Sequence, residues 1–507
     1  MNQRSPYYSL LHPKPLARRV SSFGFPRDLG DRFQVLHKWL RFASDGKPSN
    51  LIAEAQFLHD IFVDILGYRS PFENSVGAWE LELHPKPVLG FFAEDLVNVI
   101  VEISINTAEQ GAIIKPEPEH ESTEWLVVLD YREICLYHRN VSSLFCQRFA
   151  WESLADLEQL KAFYFLLSRR TLLKGIANSE ERSRTTQLLE ESHQLESEIL
   201  KNFYSHYSKI RGQLIKDFRY RIQTLASSPS EDAMIEVQSL DSNQVIEIAI
   251  YQAQKLLNRI LFVAYCEDRR LLPEHLIKDA YEFVNPYVEQ PIWENYKAIF
   301  RWVRQGNSQH KIPIEAYPLS IFASDRLLDQ VLFVGDELCR QIKEITRFDF
   351  DQDITRHMLT GLLDESLKEL TQYRKDLSYL SKRRSPKLPC KNIIQSESVI
   401  KALQNNLALT SPNAQSSERE NDRDMATLDY CYEYQKRLLN IKVVHSKCGS
   451  GVFLVTALEF LISEHERIHY LITKFAPDAS QSAFVSLAAS ALYILQHNLF
   501  GCDVNAE

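Results

Sequence analysis

The C-terminal sixty-five residues constrain the fold most. Val443-Val444-His445-Ser446-Lys447-Cys448-Gly449-Ser450-Gly451-Val452-Phe453-Leu454 reads as a strand, a tight glycine turn and the start of a helix. Asn498-Leu499-Phe500-Gly501-Cys502-Asp503-Val504-Asn505 reads as the next strand, with an acid near its end. Such a strand–helix–strand pattern opens a nucleotide- or cofactor-binding α/β domain. A doubly wound sheet needs several more strands to bury its faces. The sequence ends at Glu507, so the expectation is a domain begun and not completed.

The glycine turn has a physical use. Glycines at a strand-to-helix turn let backbone approach a ligand and adopt angles that other residues resist. The helix that follows offers free N–H groups, and an acid at the end of the next strand can accept hydrogen bonds from ribose hydroxyls. Asp503 is assigned that role. The spacing of a dinucleotide fingerprint is missing, because Val452-Phe453-Leu454 follow Gly451, and no Walker lysine is present. A buried strand ending in an ordinary glycine turn is the bland alternative.

At 507 residues the chain is too long for one ordinary core. Its 45% hydrophobic and 25% charged residues suit a globular protein. No stretch reaches the ~20 apolar residues of a membrane span, and the start, with Lys14, Arg18 and Arg19, lacks the apolar centre of a signal peptide. Eight cysteines without a C-x-x-C pair fit a reducing cytoplasm and give no zinc pattern. The net charge of -9 does not favour a DNA-coating protein. An enzyme with a local basic channel remains compatible with it. Lys382, Arg383, Arg384 and Lys387, within a basic run from Arg374 to Lys391, are the candidate DNA contacts, with a solvated linker as the equal alternative.

The predicted organisation is multidomain, mixing α/β and all-α parts. Residues 1–50 read as an irregular segment, rich in prolines. A small α/β domain covers 51–150: an amphipathic helix over 51–66, strands at 79–83 and 97–105, and a hairpin from 125–130 and 133–138. A helical segment and linker follow over 151–243. A helical domain spans 244–400, its clearest helix at 245–266, where Ile246, Ala249, Ala253, Leu256, Leu257 and Ile260 make an apolar face. Residues 407–425 read as a surface loop. The last domain occupies 401–507.

Cys448-Gly449-Ser450-Gly451-Val452-Phe453-Leu454 resembles motif I of adenine-N6 DNA methyltransferases, D-P-x-C-G-S-G-x-F-L. The 498–505 strand resembles the N-[IL]-[YF]-G-[VC]-D-[IL]-N of the large restriction-fused members. Upstream, Leu256-Leu257-Asn258-Arg259-Ile260-Leu261-Phe262-Val263-Ala264-Tyr265-Cys266-Glu267-Asp268-Arg269-Arg270-Leu271-Leu272-Pro273 is similar to a helix of fused type IIG restriction–modification proteins. The resemblance implies an incomplete Rossmann-like methyltransferase domain. Cys448, Gly449, Ser450, Gly451, Phe453 and Asp503 would contact S-adenosylmethionine. Two departures stand out. His445-Ser446 replaces the family's D-P, and the catalytic N-P-P-Y is absent from these 507 residues. Arg259, Glu267, Asp268 and Arg269 read as a charged network at a helix end, with a structural role preferred.

The resemblance extends to a PD-(D/E)XK nuclease-like domain over 51–150. Glu102, in Val99-Ile100-Val101-Glu102-Ile103-Ser104, takes the place of the glutamate of the family's E-x-K strand, but Ser104 replaces the lysine and Pro87 the metal-binding aspartate. Glu54 matches a helix glutamate. Glu54 and Glu102 are thus remnants of a nuclease site, and Mg²⁺ is not expected to bind. Losing one preorganised electrostatic group costs roughly 3–4 kcal/mol of transition-state stabilisation, so losing two disfavours cleavage.

The expectation is a cytoplasmic, truncated relative of a restriction–modification adenine methyltransferase, inactive alone, that carries no complete catalytic set and partners DNA. The first half of a split enzyme, completed by a downstream polypeptide, is a second reading. A noncatalytic DNA- or protein-binding module is the third.

Overall fold

The computed structural model describes residues 8–32, 34–35, 56–57, 59–69, 81–83, 88–93, 96–103, 124–129, 133–173, 182–227, 240–355, 358–359, 361–363, 365–366, 369–370, 390–407, 420–446, 451–475 and 487–502. The architecture mixes an α/β part with an all-helical part. Two compact units result: 1–194 with 390–504, and 195–389 with the last three residues.

Unit 1 opens with β1 (Tyr8–Ser9) and α1 (Pro13–Ser21). The expectation of an irregular segment fails at α1. Pro13 and Pro15 sit in its first turn, where a missing N–H removes no helical bond, and the His12 ring accepts the Lys14 N–H at 3.3 Å. The helix expected over 51–66 is wound as a π-helix at His59–Ile65. Then come β2 (Leu81–Leu83), β3 (Val88–Ala93), β4 (Leu96–Ile103), β5 (Trp125–Leu129), β6 (Glu133–His138) and β7 (Phe145–Ala150). Among the described residues these form one mixed sheet in the order β1-β7-β6-β5-β4-β3-β2. The expected β5–β6 hairpin is antiparallel, with Val127 opposite Leu136. β4 and β5 run parallel, and β1 runs parallel to β7.

α2 (Leu157–Leu167) packs on this sheet, and α3 (Arg184–Ser227) begins beside it. Trp125, Val127, Ile134, Leu136 and Phe149 meet Phe163, Leu166 and Leu188 in one buried cluster. The alternate residues Leu126, Val128, Cys135 and Tyr137 are buried as well. The central strands are therefore covered on both faces, which explains their near-continuous apolar runs.

In unit 2, α4 (Ser242–Asp268) is set by a capping box. Asp241 accepts the Asn243 and Gln244 N–H groups at 2.8 and 2.7 Å, and the Gln244 side chain accepts the Asp241 N–H at 2.8 Å. Its apolar face is the one expected from spacing, and it packs against α5 (Leu276–Glu282), α6 (Ile292–Gln305) and α7 (Asp336–Lys343). On α6, Trp293, Tyr296, Phe300 and Val303 recur at helical spacing on the buried side. Burying side chains of this size contributes about 1.5–3 kcal/mol each, which outweighs the tenths of a kcal/mol that separate helix propensities.

The chain returns to unit 1 with α8 (Cys390–Leu407), α9 (Glu420–Asn440), β8 (Val443–His445), α10 (Val452–Phe475), α11 (Leu487–His497) and β9 (Leu499–Gly501). Of the loop expected over 407–425, residues 408–419 lie outside the described residues, and α9 already begins at Glu420. Tyr430, Tyr434, Leu438, Phe460, Leu461 and Ile494 form the core here, joined by Leu144. Among the described residues no helix is long and apolar enough to cross a membrane.

Candidate functional site

The expected strands and the helix between them are present, and of the glycine turn Gly451 is described, while 447–450 lie outside the described residues. β8 and β9 pair in parallel, with Val443 opposite Leu499, Val444 opposite Phe500 and His445 opposite Gly501. α10 and α11 lie between them in the chain, which makes a βαβ unit. Gly451 has φ +75°, and a Cβ added there would meet nothing within 4 Å. Gly451 is therefore left-handed, which disfavours every residue with a side chain. Open α/β sheets bind ligands beyond the carboxyl ends of their strands.

His445 ends β8, and its ring meets the Phe453 ring edge-on at 4.9 Å. The His445 Nδ1 is buried and has no hydrogen-bond partner. His445 stands where the resembling family has an acid, and a neutral imidazole nitrogen can accept a hydrogen bond but supplies no negative charge. The left-handed turn and the free acceptor fit a small cofactor with a donor group. They do not reproduce a carboxylate's grip on a cation.

Asn498, quoted in the sequence without a role, is fully buried. Its Nδ2 donates to the carbonyls of Leu438 at 3.0 Å and Ile441 at 2.8 Å, and more distantly to Leu439. These carbonyls lie at or just past the end of α9, where a helix leaves acceptors unsatisfied. The Asn498 carbonyl in turn accepts the Val443 N–H at 2.7 Å. One residue, by its side chain and its backbone carbonyl, thus ties the end of α9 and β8 to the start of β9.

A buried ionic group links α9 and α10. Glu464 on α10 accepts from the Tyr434 hydroxyl at 2.7 Å and from Arg467 at 2.8 Å. Arg467 also lies 5.0 Å from the Tyr434 ring centroid. Burial pushes the Tyr434 hydroxyl up, and the Glu464 charge adds to that. For Arg467 burial pulls down, but Glu464 beside it wins and raises it. An i,i+3 Glu–Arg pair on one helix is the only trace of this triad in the sequence.

Phe453 is brought against His445, and Gly451 directly precedes α10. Cys448, Gly449, Ser450 and Asp503 lie outside the described residues, as do Glu54, Lys382, Arg383, Arg384 and Lys387. Glu102 lies on β4, with Val88 opposite on one side and Val128 on the other. The register therefore puts the residue after Pro87 directly across from Glu102. Pro87 and Ser104 themselves fall outside the described residues.

Four charged residues of the 256–273 segment, Arg259, Glu267, Asp268 and Arg269, reach other segments of unit 2. Arg259, almost wholly buried, donates to Ile321 O at 2.7 Å, Ala323 O at 3.0 Å and Asp329 at 2.6 Å. Glu267 accepts the Ile277 N–H at 3.2 Å. Asp268 accepts the Phe350 N–H at 2.7 Å, and Arg269 pairs with Asp351 at 3.1 Å. Their work is to hold neighbouring segments to α4, the structural role preferred from the sequence, although the pattern is four separate tethers and not a shared network.

One group of potential metal ligands went unnoticed in the sequence: His59, Asp60 and Asp64 on the π-helix, whose donor atoms lie within 4.8 Å of one another. The chain matches no family model, no curated protein and no solved structure.

Proposed function

We propose that this protein is a relative of the fused restriction–modification adenine methyltransferases and holds the donor side of a methyl-transfer site. The observation that carries the reading is the parallel βαβ unit with a left-handed glycine at its strand-to-helix turn. In this reading S-adenosylmethionine lies over the 448–451 turn, the start of α10 supplies N–H groups, and Asp503 accepts from the ribose. The cofactor would supply an electrophilic methyl group. His445 in place of an acid takes a negative charge away from the cofactor's amino group, so binding is weaker than in the resembling family.

The acceptor base has no station among these 507 residues, which contain no Asn-Pro-Pro-Tyr. Methyl transfer to adenine N6 would need further residues to hold the flipped base. The exposed face of the β8–β9 pair supports a further element that covers it. Val444 and Phe500 are register partners, 71% and 43% exposed, whereas parallel sheets are normally covered on both faces.

Equilibrium binding of labelled S-adenosylmethionine to the purified chain tests the reading. Saturable binding, displaced by S-adenosylhomocysteine and weakened by Gly451→Val, is expected, with no methylation of duplex DNA. Preference for ATP or NAD, or no saturable binding, would sink the cofactor assignment. Adenine methylation at an enzyme-like rate by the chain alone would sink the assignment of a donor side only.

A further inference from the structure

The geometry points to a divalent transition-metal site on the π-helix, built from His59 Nδ1 and the carboxylates of Asp60 and Asp64. The winding creates it. In an α-helix, residues five apart point about 140° away from each other. Here the helix is π-wound over His59–Ile65, continuing into the i→i+5 bond from the Leu66 N–H to Ile61 O at 3.0 Å, and that pattern brings residues five apart onto one side. His59 Nδ1 consequently lies 3.9 Å from Asp64 Oδ2. That is too far for a hydrogen bond and close to the separation of two ligands on one ion.

A second observation points at a ligand. His59 Nδ1 is buried and has no hydrogen-bond partner. A buried ring nitrogen left without a partner costs about 1–3 kcal/mol, and a cation in this position would take it as a ligand. Asp60 is only 4% exposed. Its Oδ1 accepts from the Gln56 amide at 2.5 Å, the kind of contact that orients a ligating carboxylate. Asp64 is 46% exposed, which leaves water free to complete the coordination.

The distances permit closure. Metal–ligand bonds of about 2.0–2.2 Å place two donors on one ion at most about 4.4 Å apart. The present set spans up to 4.8 Å, so a small rotation of the solvent-facing Asp64 closes it. One imidazole and two carboxylates suit Mn²⁺, Co²⁺ or Zn²⁺, whereas Mg²⁺ prefers oxygen ligands and retains its waters. The site is independent of the cofactor reading.

Mn²⁺ binding to the full chain, read from the free-ion electron paramagnetic resonance signal, tests it. One saturable site is expected, undisturbed by excess Mg²⁺. His59→Ala and Asp64→Asn should each weaken it more than Gln56→Ala, whose loss is roughly tenfold, as for other orienting contacts. On the wild-type protein, pulsed resonance should detect one coordinating imidazole nitrogen, a result that needs no variant to fold. Absence of a saturable site, unchanged affinity in folded His59→Ala and Asp64→Asn, missing nitrogen coupling, or displacement by equimolar Mg²⁺ would each overturn the proposal.

Discussion

Replacing Glu267 by glutamine separates burial from charge in unit 2. The carboxylate is buried beside the start of α5 and accepts the Ile277 N–H. Burial pushes it up from 4.5 to about 8; the hydrogen bond from Ile277 opposes this, and the charges of Asp268 and Asp279 add to it. Between those two values the folded protein holds a proton that the unfolded chain has released. Stability therefore falls as pH rises through this window and levels off above it. At ~1.4 kcal/mol for each pH unit, the loss between pH 5.5 and 7.5 is about 3 kcal/mol. Glutamine keeps an oxygen for the Ile277 N–H and never ionises. Hydrogen-exchange mass spectrometry on α4 peptides, across a urea series at each pH, reads the stability of this unit. The stability gap between Glu267→Gln and wild type should widen by ~3 kcal/mol over that pH range, in favour of the variant. Parallel pH profiles for the two proteins would refute the buried, protonated carboxyl.

Further substitutions probe the scaffold. Arg259→Ala removes the bonds to Asp329 and to the Ile321 and Ala323 carbonyls and should cost about 2–3 kcal/mol in urea denaturation; Arg259→Lys, without the fork geometry, should recover only part of it. Glu464→Ala leaves Arg467 buried without its partner, for a loss of about 3–5 kcal/mol, while Tyr434→Phe should cost only about 1 kcal/mol. Gly306 has φ +80°, and a Cβ there would lie 3.1 Å from Ile314 O. Gly306→Ala should therefore lower the melting temperature more than Gly451→Ala, which meets open space and carries only the left-handed strain of about 1–2 kcal/mol.

Legibility followed the source of each element's stability. The β5–β6 hairpin and α4 were readable because apolar spacing alone positions them. β7 was not, since Phe145-Cys146-Gln147-Arg148 lacks a clean alternation. Its place beside β6 is fixed partly by Arg148, which donates to Glu133 across the pair at 2.6 Å. α1 was hidden by prolines that are harmless only in a first turn. The π-helix was misread because a 3.6-residue period carries no mark of a local change in winding, and with it went the His59–Asp64 approach. At the C-terminus the positive φ of Gly451 was legible from local backbone chemistry. The role of Asn498 was not, because its partners lie some sixty residues earlier in the chain.

That role explains how a two-stranded parallel pair persists at all. Two strands alone are marginal in water, and Val444 and Phe500 gain little from burial. The pair is held from below, by Asn498 on the α9 carbonyls and by the α9–α10 packing around Glu464. Asn498→Ala leaves the buried Leu438 and Ile441 carbonyls without this donor, a cost of roughly 1–3 kcal/mol for each one stranded. The loss should be local. Hydrogen exchange should speed up in peptides covering β8, β9 and the end of α9, while α4 peptides keep their protection. If β8 and β9 stay as protected as in the wild type, the strands hold each other by their own ladder, and the anchoring argument is wrong.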